Sequence, residues 1–363
     1  MQLPRIPWRC VTPAKSESIG GFPVSFLIRI CAIAVLCILT SSARRMTPLL
    51  AATWHDPSPH RITFVTVDDG VKLEVLDWGG NGRAVVLLAG YQTAHEYDDI
   101  APKLTAFCHV YGITRRGFGA SSRPDSGYTA QRSGEDVLQV LDALKLDHPV
   151  LAGHSFGGSD VLTIGAQHPM LAAGLVFLDS GDDPTLPSSA YGVAEVDTKR
   201  LPASMTTPEP LPDHSSFQAF GEWQLKAHGV VMPEAEIRQR YPVNPDGSIG
   251  EDSTPKWVRD AIFAGIQKPR YSSIQAPVLA ILAVPLALEE QFKKYQPRTA
   301  DERAAMEQKY AVGEAFTKRT VQDLRAGDAI ARIVTLPGAS TYIFLSNEND
   351  TVRELRSFVG GLR

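Results

Sequence analysis

The chain has 363 residues, 44% of them hydrophobic and 21% charged, with a formal net charge of −4; this is the balance of a globular protein with a sizeable core. No basic stripe or aromatic–basic interleaving appears, which argues against a nucleic-acid partner. The cysteines Cys10, Cys31, Cys37 and Cys108 leave one thiol in the globular part and no C-x-x-C spacing, so neither an internal disulfide nor a zinc motif is indicated.

Residues 1–45 read as a targeting segment. Arg5, Arg9, Lys15 and Arg29 precede the apolar stretch Ile30–Thr40, and Ser41-Ser42-Ala43 follow it. That order is a secretory signal pattern, and it implies a secreted or periplasmic protein. A longer reading over residues 22–40, with Arg29 snorkelling to the interface, gives a membrane anchor instead. Membrane contact is expected through this segment alone. A Pro-rich linker spans residues 46–60.

From residue 61 onward, β-branched runs alternate with helical periodicity. "ITFVTV" (62–67) and "KLEVLDWG" (72–79) flank Asp68-Asp69-Gly70 and read as a hairpin. "AVVLLAG" (84–90) is a strand buried on both faces, and "HVYGIT" (109–114) is another. Residues 135–146 place Val137, Leu138, Leu141 and Leu144 on one helical face. A strand (149–155), a helix (159–168) and a strand (172–179) follow.

This rhythm implies a mostly parallel sheet with helices on both faces. It stops near Ser180. Residues 183–275 hold helical pieces at 216–229 and 255–266 between Pro-rich turns, and the rhythm resumes with a strand at 276–285. A charged helical region (299–327), a strand (331–336) and a last helix (350–359) complete the chain. The organisation expected is one domain over 61–363, with a core of 61–182 and 276–363 and a helical cap at 183–275.

"AGHSFGG" contains Gly153-His154-Ser155-Phe156-Gly157, a G-x-S-x-G between a buried strand and a helix. In that context the serine sits on a tight turn, with free helix N-terminal N–H groups beside it.

Here the chain resembles the α/β-hydrolase superfamily, in particular its capped ester-hydrolase-like members. The resemblance rests on "LLAGYQTAHEYDDIAPKL" (87–104), "YGITRRGFGASSRP" (111–124), "AGHSFGG" and "LPGAS-YIFLSNE" (336–348). It implies an α/β-hydrolase fold with an eight-stranded-type sheet, and Ser155 as nucleophile. It also implies an oxyanion hole made by the N–H of Phe156 and that of Tyr91 or Gln92. Arg116 is expected to be structural. Phe217, Trp223 and Trp257 are the substrate-facing candidates of the cap, and no metal or organic cofactor is implied.

Most relatives carry the acid after the strand at 276–285, where this chain has no Asp. Asp179 ends the strand following the nucleophile, so it can share a rim with Ser155. The histidine of the resemblance falls between "GAS" and "YIFLSNE", and that position is Thr341. A threonine hydroxyl cannot accept the serine proton at neutral pH. His95, His154, His214 and His228 are the remaining imidazoles to consider; His154 is expected to pack beneath the sheet.

Two functions follow. One is a serine hydrolase acting on a small ester or amide with an impaired or unconventional base. The other is a pseudo-hydrolase that binds, or covalently traps, a small apolar ligand.

Overall fold

In the computed structural model the alternating runs form one sheet. β1 (Arg61–Thr66) and β2 (Lys72–Gly79) make the antiparallel hairpin. β3 (Ala84–Leu88), β4 (His109–Ile113), β5 (Val150–His154), β6 (Gly174–Leu178), β7 (Val278–Val284) and β8 (Ala331–Pro337) follow. The eight strands lie in the order β1-β2-β4-β3-β5-β6-β7-β8. β2 meets β4 antiparallel, and every pairing beyond is parallel. The structure describes residues 54–187, 190, 196–207, 210–327 and 330–362. The expected targeting segment and most of the linker lie outside them. Among the described residues no helix is long and apolar enough to cross a membrane.

Alternate residues of each central strand enter opposite layers of core, which is why these strands read as continuous apolar runs. Val86, Leu88, Leu151, Leu175, Phe177 and Ala280 pack on one face. Val85, Leu87, Val150, Ala152, Val176 and Leu279 pack on the other.

Helix boundaries differ from the periodicity for local reasons. The helix Ala130–Ala143 starts earlier than the apolar face suggests, because the Thr129 hydroxyl caps it by accepting from Arg132 N–H at 3.1 Å. It stops before Lys145, whose φ of 54° leaves the helical region. The helix Phe156–Gln167 begins directly after Ser155.

Residues 55–60, expected as linker, dock on the sheet. Trp78 Nε1 donates to Ser58 Oγ at 2.9 Å, and Ser58 Oγ donates to the Asp98 carbonyl at 3.2 Å. Between β6 and β7 lie the helices Phe217–His228, Glu234–Arg240 and Lys256–Ala264. Between β7 and β8 lie Leu288–Tyr295 and the long helix Ala300–Leu324, started by a capping box of Thr299 and Glu302. The long helix works in two directions. Leu324 enters the sheet core, whereas Ala305 and Met306 pack with Phe292 against Leu201 of the preceding insertion.

Candidate active site

The parallel strands β3, β5, β6 and β8 end on one rim. Leu88 pairs with Gly153 and Leu178 with His154, so the residues that follow these strands emerge side by side. Ser155 follows β5 with φ 49° and ψ −120°, a backbone conformation that the surrounding packing must hold. The neighbouring glycines are dictated by close approach. A Cβ on Gly157 would lie 2.0 Å from the Leu88 carbonyl oxygen. A Cβ on Gly90 would lie 2.8 Å from Ser155 Cβ and 3.3 Å from its Oγ. The backbone of Gly90 therefore forms one wall beside the serine hydroxyl.

The next residues of that wall are Tyr91 and Gln92. Among the described residues, none accepts a hydrogen bond from the N–H groups of Tyr91, Gln92 or Phe156. The loop is held from behind. Arg115 donates to the Ala89 carbonyl at 3.1 Å and to Asp160 Oδ2 at 2.6 Å, tying the loop to the helix that begins at Phe156. Gln92 Nε2 donates to Tyr342 Oη at 2.7 Å, tying it to the turn that carries Thr341.

Asp179 follows β6 with φ 44°. Its N–H donates to the Ile281 carbonyl at 2.8 Å, and its Oδ1 accepts from Ala283 N–H at 2.9 Å. Burial raises the Asp179 carboxyl above the usual range, opposed by the nearby Thr341 hydroxyl and by the Ala283 N–H. Thr341 itself is exposed, on the turn after β8. Asp179 and Thr341 thus come near one another on this rim. Asp182, on the loop after β6, has its carboxyl raised by burial and by the charges of Asp179 and Asp183. A cavity of about 130 Å³ adjoins Asp179 and Asp182 and is walled by Leu282, Phe316 and Thr320.

The other imidazoles are committed elsewhere. His154 is buried, its Nδ1 3.3 Å from Glu96 and its ring centroid 5.1 Å from those of Tyr342 and Phe344. His95 is buried among Asp56, Asp98 and Glu74; burial opposes its charge, but the three carboxylates push it up to about 12. His214 Nδ1 lies 3.1 Å from the Ile249 carbonyl oxygen. His228 is exposed with its ring against Trp223, and its carbonyl accepts from Ser340 Oγ at 2.9 Å. It is the histidine whose backbone touches the Thr341 turn.

Of the aromatic candidates, Phe217 and Trp223 pack around Phe220, Met232 and Ile237. Trp257 stands edge-on to Tyr128, with ring centroids 5.6 Å apart. The aromatic group beside the serine is a different one. Tyr91, Phe156 and Phe263 have centroids 4.6, 5.2 and 5.5 Å apart. Helical periodicity alone does not separate Phe263 from Phe217, because both lie on amphipathic helices.

A buried acid that the sequence reading missed stands behind the loop. Glu236, on the helix Glu234–Arg240, accepts from Thr93 N–H at 3.0 Å and lies 2.5 Å from Thr93 Oγ1. Burial pushes its carboxyl up to about 8 against the opposing charge of Arg240. The sign of the consequence is fixed. From about 4.5 to about 8 the folded state keeps a proton that the unfolded state has lost, so stability falls as pH rises through that window. Glu236→Gln should abolish this slope, worth at most about 1.4 kcal/mol per pH unit. Urea unfolding at several pH values checks it, and parallel curves for the two proteins would refute the assignment.

The alpha/beta hydrolase family model matches residues 85–355. The chain belongs to the alpha/beta hydrolase family. Among curated proteins it is similar to an "AB hydrolase superfamily protein YisY" of Bacillus subtilis, 30% identical over 140 residues, covering 37% of this chain and 52% of that protein. It is also similar to an "sn-1-specific diacylglycerol lipase ABHD11" of Xenopus laevis, 28% identical over 179 residues, covering 48% and 54%. The chain therefore spans about half the length of these relatives. Among solved alpha/beta hydrolase structures, E-2-(acetamidomethylene)succinate hydrolase superposes with a TM-score of 0.59 at 17% identity, over 83% of this chain and 100% of that one.

Proposed function

We propose that this member of the family is a serine-hydrolase-type protein acting on a small ester or amide, with its general base impaired. In this reading Ser155 is the nucleophile and Asp179 the acid. The N–H groups of Phe156 and of Tyr91 or Gln92 hold the developing oxyanion. Residues 183–275 act as the cap, and Phe263 with Tyr91 and Phe156 gives an apolar wall for the acyl or leaving group. The observation that carries the proposal is that the residue of the turn after β8 which acts on Asp179 is Thr341, whose hydroxyl favours the charged carboxylate but cannot take the serine proton.

Without a base both acylation and deacylation slow, while oxyanion donors alone retain roughly 10³–10⁴-fold over water. That same observation favours a second reading, a pocket that binds or traps a small apolar ligand. Turnover of p-nitrophenyl acetate by wild type and Ser155→Ala, with intact mass of each, tests the proposal. Slow turnover and an acyl adduct that persists in wild type alone are expected. Binding without any adduct selects the second reading. Efficient turnover contradicts both, and His228→Ala is then the variant to make.

A further inference from the structure

Two histidines and two aspartates converge outside the candidate active site. Asp56 and His60 come from the docked N-terminal segment, and His95 and Asp98 from the short helical turn at 94–98. One ligand atom from each lies within 4.8 Å of all the others. His95 Nδ1 is 2.8 Å from Asp98 Oδ2 and 3.4 Å from Asp56 Oδ2. His60 Nδ1 is 3.1 Å from Asp98 Oδ1, and His60 Nε2 is 3.6 Å from Asp56 Oδ2.

Two of these atoms point to a ligand. His60 Nδ1 and Asp98 Oδ1 are buried and within ion-pair range of each other, yet neither has an aligned hydrogen-bond partner. Their side chains are only 3% and 4% exposed. Unpartnered buried polar atoms that face one another are costly unless something satisfies both. A tetrahedral zinc ion, with Zn–N and Zn–O near 2.0–2.2 Å, sets its ligand atoms about 3.3 Å apart. For one consistent set of atoms, the distances of His95 Nδ1 from Asp98 Oδ2 (2.8 Å) and from Asp56 Oδ2 (3.4 Å) bracket that figure. The outer shell also fits. His95 Nε2 faces Glu74 Oε1 at 3.7 Å, and Glu74 Oε2 accepts from Thr114 Oγ1 at 2.8 Å. Metal-bound imidazoles habitually direct their second nitrogen to such a carboxylate.

The geometry points to a metal site formed by Asp56, His60, His95 and Asp98, taking a divalent first-row transition ion with zinc as the best match. The mixed imidazole–carboxylate set is a borderline donor set suited to that class. The ion staples the segment before β1 to the turn that follows Tyr91 and Gln92. The sequence spacing hid it, because Asp56 and His60 lie in a stretch that reads as linker.

The test uses the full chain, stripped with chelator and titrated with zinc chloride by calorimetry. Thermal melting and proteolysis of residues 54–60 are followed in parallel. Stoichiometric uptake, a raised melting temperature and slower cleavage are expected, all reversed by chelator. Uptake should be lost in His60→Ala and in Asp98→Asn, and kept in the surface control His148→Ala. Glu74→Gln should weaken binding roughly 10–100-fold. Cobalt in place of zinc should give the intense visible bands of a tetrahedral site. If Asp98→Asn does not fold, the partly exposed Asp56→Asn carries the same expectation. No uptake by the stripped chain, or uptake unchanged in His60→Ala, overturns the proposal.

Discussion

Thr341→His should raise hydrolysis of short p-nitrophenyl esters by roughly 10²–10⁴-fold, the range a positioned general base contributes. Thr341 lies near enough to Asp179 to favour its charged form, and its turn is fixed by Gly338 N–H donating to the Val284 carbonyl at 2.8 Å and by Ser340 N–H donating to Ser346 Oγ at 3.2 Å. Thr341 is exposed, so a larger side chain meets little resistance. An imidazole there is expected to direct one nitrogen to Asp179 and the other toward Ser155. The gain should vanish in Thr341→His/Ser155→Ala and shrink strongly in Thr341→His/Asp179→Asn. The rate should rise with pH through the titration of the new imidazole, near about 6.5 before any shift. A folded but inert histidine variant would mean that the rim has lost its geometry as well as its base.

Asp136→Asn should destabilise the fold by about 3–5 kcal/mol, the cost of breaking a buried ion pair by removing one partner. Asp136 is buried and receives two guanidinium groups. Arg116 Nε donates to its Oδ2 and Arg116 Nη2 to its Oδ1, both at 2.6 Å, and Arg132 Nη2 donates to Oδ1 at 2.7 Å. The amide accepts at one oxygen only and leaves Arg116 without its counter-charge. Glu135→Gln, one position earlier but exposed, should change stability by less than about 0.5 kcal/mol. Urea midpoints of the two variants against wild type make the comparison. Equal, small shifts would show that the pair contributes little.

The sheet and the elbow were legible because they are local patterns. β3, β5 and β6 are short apolar runs bounded by turns, and the G-x-S-x-G at 153–157 lies directly between β5 and the helix Phe156–Gln167. That Asp179 and Ser155 follow neighbouring strands and emerge on one rim was legible from strand order, since parallel strands bring their ends together. What escaped the sequence depends on contacts between distant segments. Glu236 looks like an ordinary exposed acid of a short helix until Thr93 is found beside it. His60 and Asp56 look like linker until Ser58 and Trp78 dock them. Phe263 and Phe217 are alike in periodicity, and only the packing of their helices puts Phe263 beside Phe156. The helix Ala300–Leu324 shows mixed charge throughout, so its contact with Leu201 leaves no pattern to read.

A serine held on an intact strand-to-helix turn without a base should react sluggishly with a fluorophosphonate probe, and this is the behaviour expected of Ser155. The rate of labelling is compared across wild type, Ser155→Ala and Thr341→His. Slow labelling of wild type, none in Ser155→Ala and rapid labelling in Thr341→His are expected. Rapid wild-type labelling that Ser155→Ala abolishes would contradict this expectation, because the serine would then be activated by a base other than residue 341.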